Sequence, residues 1–324
     1  MAAERAVVSA GVVVADHLCA PIDRLPAPGE LVKADELVLH IGGGACNAAM
    51  DLARLGVKSA VCGRVGDDIF GRFVSETLQG QGIDCSSLRI DPERATSQTL
   101  IVNVKGQDRR FIHSFGANEG FTIADLDAAL DPRPRVVFIG YFLILPHLDG
   151  EALADRFRRL RAQGTLTVLD VACPGQSPDY LERLRPVLPH TDVFLPNTDE
   201  AALILGETDP IRQALAFRQL GARRVVITLG ERGAISVSEE LSVRLGTFPV
   251  EAVDATGGGD AFDAGYIVGL LEGRDEIGCL TLASAIGASC IRAVGATTGV
   301  FTRAEADAFL ATHHLPIERI VIGG

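Results

Sequence analysis

Short apolar runs alternate with amphipathic segments through most of this chain, and this alternation restricts the possible folds more than any other feature. The apolar runs are too short for helices, and several are rich in β-branched residues, which is typical of buried strands. Strand followed by helix, repeated this often, predicts a doubly wound α/β fold with a mostly parallel sheet and helices on both faces. Strands are predicted over residues 7–14, 60–62, 136–139, 166–171, 193–195 and 225–228, and helices over residues 46–55, 70–79, 150–163, 179–188, 198–205 and 211–220.

Two regions, residues 21–40 and 95–113, break this rhythm with strand-like alternation and turn residues. In the second region Leu100 and Val102 face one way and Ile101 the other, and a turn is predicted over residues 105–108. We predict a small antiparallel β-sheet, formed by about residues 15–40 and 96–115 and inserted into a single domain of residues 1–324. This sheet is either a decorative hairpin or a lid over an active site.

The composition excludes several classes of protein. With 30 Lys and Arg against 42 Asp and Glu, the net charge is −12, which predicts no binding to nucleic acid or to an anionic membrane. Charged residues or glycines interrupt every apolar run before ~18 residues, so no membrane-spanning helix is expected. The seven cysteines are scattered without a C-x-x-C pair, which predicts reduced thiols rather than a zinc site or disulfides. The N-terminus does not resemble a signal peptide, and we expect a cytoplasmic protein.

The most informative motif begins at Asp254 and places three consecutive glycines directly before a helical pattern. Gly257, Gly258 and Gly259 let the backbone turn tightly and leave amide groups free at the positive end of a helix, which makes an anion site. Asp260 follows at once, and a carboxylate beside an anion is reasonable if it takes the proton of an incoming hydroxyl during phosphoryl transfer. The alternative is an ordinary glycine-rich helix start. No Walker, G-x-S-x-G, H-E-x-x-H or protein-kinase motif occurs.

Two further candidates lie in the first fifth of the chain. Gly42 and Gly43 open a helix that carries Asn47, and because Asn47 stands where a dinucleotide fingerprint has glycine, the pattern favours a close approach to a polar ligand instead. Asp16 follows the first predicted strand, where parallel-sheet proteins bind their ligands, although such an acid is often only a turn residue.

Two loops in the second half suit a nucleotide. Asn197 and Glu200 begin a helix, where they either form a capping box or hold a hydrated Mg²⁺ ion. Thr228, Gly230 and Gly233 follow a strand and offer a hydroxyl group and free amides to phosphates, unless they form only a hairpin turn.

Taken in order, these motifs resemble the ribokinase-like carbohydrate kinases over nearly the whole chain. The resemblance rests on residues 28–30, 42–47, 55–56, 63–71, 116–118, 197–200, 228–233 and 254–266. It implies transfer of the γ-phosphoryl group of ATP to an alcohol with Mg²⁺, with Asp260 as the catalytic base and Gly257, Gly258 and Gly259 as the anion hole. It further implies that Asp16, Gly42, Gly43 and Asn47 bind the sugar, and that Asn197, Glu200, Thr228, Gly230 and Gly233 serve the nucleotide and magnesium. Many members also bind a monovalent cation such as K⁺, here near Asp254, Thr256 and Val294.

The identity of the acceptor is left open by the sequence. Ribokinases proper carry a glutamate after the mid-chain strand, whereas residues 140–143 read Gly-Tyr-Phe-Leu, which is somewhat similar to adenosine kinases. Residues 111–118 look more like the sugar kinases. A sugar or sugar derivative is the expected substrate, a nucleoside is the alternative, and a non-catalytic sensor is a third possibility. The resemblance also implies a homodimer in which the lids of two subunits pair.

Overall fold

In the computed structural model, which describes residues 5–107 and 109–320, the chain forms two β-sheets and a set of helices. The strands are β1 (Val7–Gly11), β2 (Val14–Ile22), β3 (Leu37–Gly42), β4 (Ser59–Gly66), β5 (Asp84–Asp91), β6 (Gln98–Val104), β7 (Arg110–Ser114), β8 (Val136–Gly140), β9 (Leu166–Leu169), β10 (Val193–Phe194), β11 (Arg224–Thr228), β12 (Ala234–Ser238), β13 (Ser242–Leu245) and β14 (Ile317–Arg319). The α-helices are α1 (Gly44–Arg54), α2 (Ile69–Gly80), α3 (Ile123–Ala128), α4 (Gly150–Ala162), α5 (Tyr180–Leu184), α6 (Thr198–Leu205), α7 (Pro210–Gln219), α8 (Gly258–Leu271), α9 (Glu276–Cys290) and α10 (Arg303–Leu310).

The large sheet has ten strands among the described residues, in the order β14-β13-β12-β11-β10-β9-β8-β1-β4-β5. The seven strands from β11 to β5 are parallel, and β12, β13 and β14 extend the sheet in antiparallel fashion. Successive residues of a central strand pack on opposite faces: Val7 contacts the side that holds α1, α8 and α9, and Val8 the side that holds α4 and α7. The predicted doubly wound α/β class is confirmed.

The small sheet has the strand order β3-β2-β6-β7 within the described chain, and it differs from the prediction in two ways. Strands β2 and β6 pair in parallel, so the sheet is mixed rather than antiparallel. Residues 23–36 form no strand; Val32 and Ala34 of this segment, like Val102, instead pack against the buried cluster of Cys19, Ile22 and Val104. Between β2 and β6 the chain passes through β3, α1, β4, α2 and β5. A connection of this length allows the two strands to run in the same direction, so they can pair in parallel.

Three other predictions require correction. The first predicted strand is two strands, since β1 ends at Gly11 and β2 starts at Val14; Asp16 lies inside β2 instead of after β1. Strand β4 continues to Gly66, four residues beyond the predicted end of this strand at residue 62. The helix predicted over residues 179–188 is only the five-residue α5. Residues 1–4, at the start of the predicted domain, and Asp108, in the predicted turn, lie outside the described residues.

None of the helices in the described part of the chain is long and apolar enough to cross a membrane. Helix α9 is buried on nearly all sides and packs along α8, which explains why its sequence shows no amphipathic period. The pair α8 and α9 fixes the glycine-rich motif at the carboxyl edge of the parallel strands, where the candidate site lies.

Candidate active site

The glycine-rich motif forms the N-terminal end of α8. Gly257 precedes the helix with a φ of 76°, and a Cβ atom there would lie 2.2 Å from the carbonyl oxygen of Ala296. Only glycine fits this position, because it tolerates both the left-handed conformation and the close backbone approach. Gly257 and Gly259 line a cavity of about 480 Å³, so the free amide groups at the helix start are available to an anion.

Asp260 lies in the first turn of α8 with its carboxyl group buried. Its Oδ2 accepts two hydrogen bonds, from Asn47 Nδ2 at 2.8 Å and from the Tyr141 hydroxyl at 2.9 Å. Its Oδ1 is buried and has no hydrogen-bond partner among the described residues. Burial raises the pKa of Asp260 to about 6, while the two hydrogen bonds oppose that rise. The group is therefore ionised at neutral pH yet has a high proton affinity, which suits a general base.

The inner face of the small sheet carries a row of polar side chains, one from each strand. Asp16 is in register with His40 on β3 and with Thr99 on β6, and Thr99 is in register with His113 on β7. Thr99 Oγ1 lies 2.9 Å from His113 Nδ1 and is also hydrogen-bonded to Asp16. The ring of His40 lies against Gly295, where a Cβ atom would be 3.2 Å from His40 Cε1. We call these four residues the polar row.

Asp16 is held close to the end of β3. A Cβ atom on Gly42 would lie 1.9 Å from Asp16 Oδ2, so the absence of a side chain at Gly42 makes room for this carboxylate. Burial raises the pKa of Asp16 to about 6; the hydrogen bond from Thr99 opposes this, and the charge of Asp260 adds to it. Gly43 cannot carry a side chain either, because a Cβ atom would lie 2.4 Å from the Val12 carbonyl oxygen.

The carboxyl groups of Asp170, Glu200 and Asp263 line the cavity at the start of α8, together with the exposed Asp199. We call it the carboxylate cavity. Asp170, Glu200 and Asp263 form no ion pair with a described side chain. Burial raises the pKa of each, that of Glu200 to about 7, and for all three the nearby charge of Asp260 adds to the rise. Uncompensated carboxylates are suitable ligands for Mg²⁺. Within the described residues no three such groups converge on one point.

Asn197 and Glu200 also form the predicted capping box of α6. Asn197 Oδ1 accepts from the amides of Asp199 and Glu200 at 2.9 and 2.8 Å, and Glu200 Oε2 accepts from the Asn197 amide at 2.9 Å. Glu200 can therefore cap the helix and also serve as a magnesium ligand, because it still borders the cavity. For Asn197 the two roles exclude each other, because its side-chain oxygen already accepts the two amide hydrogen bonds of the cap.

A second cavity, also of about 480 Å³, adjoins the first. Thr228, Gly230 and Gly259 border both cavities, so a ligand can extend from one into the other past the start of α8. The second is lined mainly by apolar side chains, and we call it the apolar cavity. Its wall includes Gly233, Phe248, Pro249, Val250, Ala255, Gly258, Phe262, Ser284, Ala288 and Ile291.

The Asp254 carboxylate is fully engaged. Its Oδ1 accepts from the Thr256 amide at 2.9 Å and from the Thr256 hydroxyl, and its Oδ2 accepts from the Gly295 amide at 3.0 Å. Arg109, which directly precedes β7 of the small sheet, donates to both Asp254 and Thr256. These bonds hold the pKa of Asp254 below its usual value although burial opposes them. Val294 is half exposed in the neighbouring loop.

The structure thus groups the predicted residues on two sides of Asp260. Asp16, Gly42, Gly43 and Asn47 lie toward the small sheet; Asn197, Glu200, Thr228, Gly230 and Gly233 surround the two cavities. Sequence reasoning missed the polar row beyond Asp16, the bond from Tyr141 to Asp260, and two carboxylates. Of these, Asp263 could have been found, because it lies three residues after Asp260 on the same helix face.

A glycine-rich helix start with a buried carboxylate, at the carboxyl edge of parallel strands, is typical of enzymes that transfer a phosphoryl group to an alcohol. The model of the pfkB family of carbohydrate kinases matches residues 7–303. The chain belongs to this family, and it is therefore a kinase that acts on sugars.

Individual relatives agree with this assignment. Ribokinase of Bacillus subtilis is 28% identical over 289 residues, which cover 89% of this chain and 94% of that protein. An ATP-dependent 6-phosphofructokinase of Thermoanaerobacterium thermosaccharolyticum is 27% identical over 272 residues, or 83% of this chain and 84% of that one. The structure of Arabidopsis thaliana ribokinase complexed with ribose and ATP has the same fold, with a TM-score of 0.81 at 23% identity, covering 96% of this chain and 100% of that chain.

Proposed function

We propose that this sugar kinase uses Asp260 as its general base, with ATP as the phosphoryl donor and Mg²⁺ as the cofactor. The observation that supports this proposal best is the environment of Asp260. Its buried carboxylate lies in the first turn of a glycine-rich helix start, one oxygen accepts two hydrogen bonds, and the other oxygen has no partner in the described chain. A carboxylate in this state can accept a proton from a hydroxyl group that approaches the same helix terminus.

The reaction then proceeds by direct transfer. Asp260 Oδ1 takes the proton of an acceptor hydroxyl, the hydroxyl oxygen forms a bond to the γ-phosphorus, and the bond from that phosphorus to the β,γ-bridging oxygen breaks, leaving its electron pair on ADP. The amides of Gly257, Gly258 and Gly259 stabilise the negative charge of the transferring group, although the Gly258 amide also makes a long bond of 3.4 Å to the Ala255 carbonyl oxygen. When bound, Mg²⁺ supplies further charge stabilisation, and Glu200, Asp170 and Asp263 are the residues that would hold it, partly through water.

The two cavities suit the two ends of the nucleotide. The carboxylate cavity, with Thr228 and Gly230 at its border, accepts the phosphates, and the apolar cavity accepts the base. A ligand that spans both passes Gly259, beside the proposed anion hole.

The acceptor side favours a polyhydroxylated sugar over a nucleoside. The polar row presents a carboxylate, a hydroxyl group and two imidazole rings in register, and such groups match several hydroxyl groups better than the apolar face of a base. Asn47 Oδ1 is buried without a partner in the described chain, and it is a further acceptor for a substrate hydroxyl.

We also propose that the small sheet is a lid and a dimer interface, and that a monovalent cation such as K⁺ binds by backbone carbonyls near Asp254, Thr256 and Val294. The lid is supported by contacts from both of its ends to the loops around the anion hole, through Arg109 and His40. Activity measured in KCl against tetramethylammonium chloride tests the cation, because only K⁺ fits such carbonyls.

The experiment that tests the function is ADP release with a panel of sugars, sugar phosphates and nucleosides, in the presence of ATP and Mg²⁺. The variant Asp260→Asn should lose about 10²–10⁴ in kcat and still bind ATP in calorimetry. Asp275→Asn is a matched control, since Asp275 caps the next helix and asparagine caps equally well. Retention of more than a tenth of the turnover by Asp260→Asn contradicts the proposal, and tight binding of a sugar without turnover in the wild type indicates a sensor.

A further inference from the structure

Tyr141 has an unusual backbone conformation. It follows β8 with φ 64° and ψ 44°, and within the described chain it is the one residue other than glycine with a positive φ. The left-handed region is unfavourable for an aromatic residue, and glycine would make the same turn without strain. Because strain of this kind persists where the surroundings impose it, an outlier beside a reaction centre calls for a functional explanation.

The strain brings the tyrosine hydroxyl to Asp260. The hydroxyl donates to Asp260 Oδ2 at 2.9 Å, next to the bond from Asn47 Nδ2 at 2.8 Å. The ring is packed against the start of α1, where a Cβ atom on Gly44 would lie 2.9 Å from Tyr141 Cδ1. The position of the hydroxyl is thus fixed by the backbone turn on one side and by helix α1 on the other.

Two donors on the same oxygen have a specific consequence for a carboxylate. They prevent rotation about the bond between Cβ and Cγ, and they leave Oδ1 as the oxygen that can take a proton. Oδ1 is buried and has no partner in the described chain, so no competing bond has to be broken before it accepts one. A glycine at position 141 would remove the strain and also this second donor.

We propose that Tyr141 is a positioning residue for the catalytic base, and that its hydroxyl group fixes the Asp260 carboxylate so that Oδ1 stays free to take the proton. The inference rests on the proposed role of Asp260. The loss of solvent around the hydroxyl, together with the nearby carboxylates, raises the pKa of Tyr141 well above its usual value, so Tyr141 remains a donor at any working pH.

The same bond contributes to the ionisation of the base. A donor stabilises the charged carboxylate, so removal of the Tyr141 hydroxyl should raise the pKa of Asp260 above its value of about 6. Other ionisable groups around Asp260 are unchanged by that removal. They are Asp16 on β2, Cys46 and Asp51 on α1, Asp170 after β9, Glu200 on α6, Asp263 on α8 and Cys290 on α9.

The test compares Tyr141→Phe with Tyr180→Phe, which removes a hydroxyl group from α5, away from the site. A hydrogen bond to a charged group corresponds to about 10–100-fold in an equilibrium. We therefore expect Tyr141→Phe to lower kcat by about 10–100-fold and to move the acid limb of the pH profile up by about one pH unit. The KM values of sugar and ATP should change by less than about threefold, and Tyr180→Phe should behave as the wild type.

If Tyr141→Phe does not fold, 3-fluorotyrosine at position 141 provides the test, because a more acidic hydroxyl is a stronger donor and should move the acid limb to lower pH. An unchanged kcat and acid limb overturn the inference. So does a rise confined to the sugar KM, which would mean that the hydroxyl binds substrate. Asp260→Asn separates the two proposals: if that variant is active, the assignment of the base fails, and if it is inactive while Tyr141→Phe is normal, only the role of Tyr141 fails.

Discussion

Asp16 and Asp260 are two buried carboxylates, close enough for the charge of Asp260 to act on Asp16, and each has a pKa raised to about 6 by burial. The two carboxylates differ in the neighbours that oppose this rise in pKa or add to it. For Asp16 the hydrogen bond from Thr99 lowers the pKa and the negative charge of Asp260 raises it. For Asp260 the two hydrogen bonds, from Asn47 and Tyr141, both lower the pKa. Both must be ionised for the proposed chemistry, Asp260 to take a proton and Asp16 to accept hydrogen bonds from the sugar.

The first prediction concerns pH. A raised pKa means that each group gains its proton as the pH falls through about 6, so activity is present above this value and lost below it. With two such groups, log kcat/KM for the sugar should fall with a slope approaching about two below pH 6. Asp16→Asn should reduce the slope to about one and raise the sugar KM, without affecting the KM of ATP. The exposed Asp67→Asn is the control, and a flat profile down to pH 5 would contradict the prediction.

At the scale of elements, the site depends on where strands and helices end. Strand β3 ends at Gly42 against the Asp16 carboxylate, and α1 starts two residues later, carrying Asn47 to Asp260. Helices α1 and α8 pack together beneath these contacts. A small displacement of one of these ends therefore moves a side chain that the reaction needs.

The second prediction uses the close contact at Gly42. In Gly42→Ala the new Cβ atom would lie 1.9 Å from Asp16 Oδ2, so the carboxylate must move by about an ångström. A shift of this size typically costs about 10²-fold in reaction rate, and kcat/KM for the sugar should fall accordingly while ATP binding persists. Gly80→Ala is a matched control, since a Cβ atom there meets no heavy atom within 4 Å. Equal sugar kinetics in both variants would show that Asp16 does not contact the sugar.

The third prediction concerns Asp51 on α1. This carboxyl group is fully buried, and neither oxygen has a hydrogen-bond partner in the described structure. Burial, with a smaller contribution from Asp260, raises the pKa of Asp51 well above its usual value, although Arg54 opposes this. The folded state therefore holds a proton that the unfolded state releases, and stability should decrease as the pH rises above the unfolded pKa of about 4.

The variant Asp51→Asn removes this dependence because asparagine does not ionise. It should be more stable than the wild type by about 1–3 kcal/mol at pH 8.5, and the difference should shrink at pH 5. Urea unfolding at both pH values measures this, with the exposed Asp35→Asn as the control. A destabilised Asp51→Asn at pH 8.5 would indicate an ionised Asp51 with a partner such as a bound cation.

For the whole molecule, the sequence predicts the fold class well and the contacts across the site poorly. Short buried strands between amphipathic helices have few alternatives to a parallel sheet, so β1, β8 and β11 are recognisable from local pattern. The parallel pairing of β2 with β6 and the bond from Tyr141 to Asp260 are different, because they join residues 83 and 119 positions apart. No local spacing contains that information, whereas the glycine-rich motif and Asp260 are adjacent in sequence and were therefore found.

The outer face of the small sheet exposes apolar side chains that the proposed dimer would cover. Leu37, Leu100 and Ile112 lie on this face with 75%, 40% and 67% of their surface exposed. Leu100 and Ile112 are directly paired on β6 and β7. A sheet of four strands with a bare apolar face is a poor structure in water, and a second copy placed about a two-fold axis would cover it.

The last prediction tests this interface with Leu100→Glu combined with Ile112→Glu, since Val102 is already partly buried against Cys19, Ile22 and Val104. Charges on both sides of the two-fold axis would repel, so light scattering should show a dimer for the wild type and a monomer for the double variant at micromolar concentration. The sugar KM should rise, because the polar row lies on the other face of the same strands. Without the partner subunit those strands are less firmly held in place. Ile90→Glu, on a residue 65% exposed at the far edge strand β5, should remain dimeric. A monomeric wild type would refute the interface, and unchanged hydrogen exchange in β6 on adding the sugar would refute the lid.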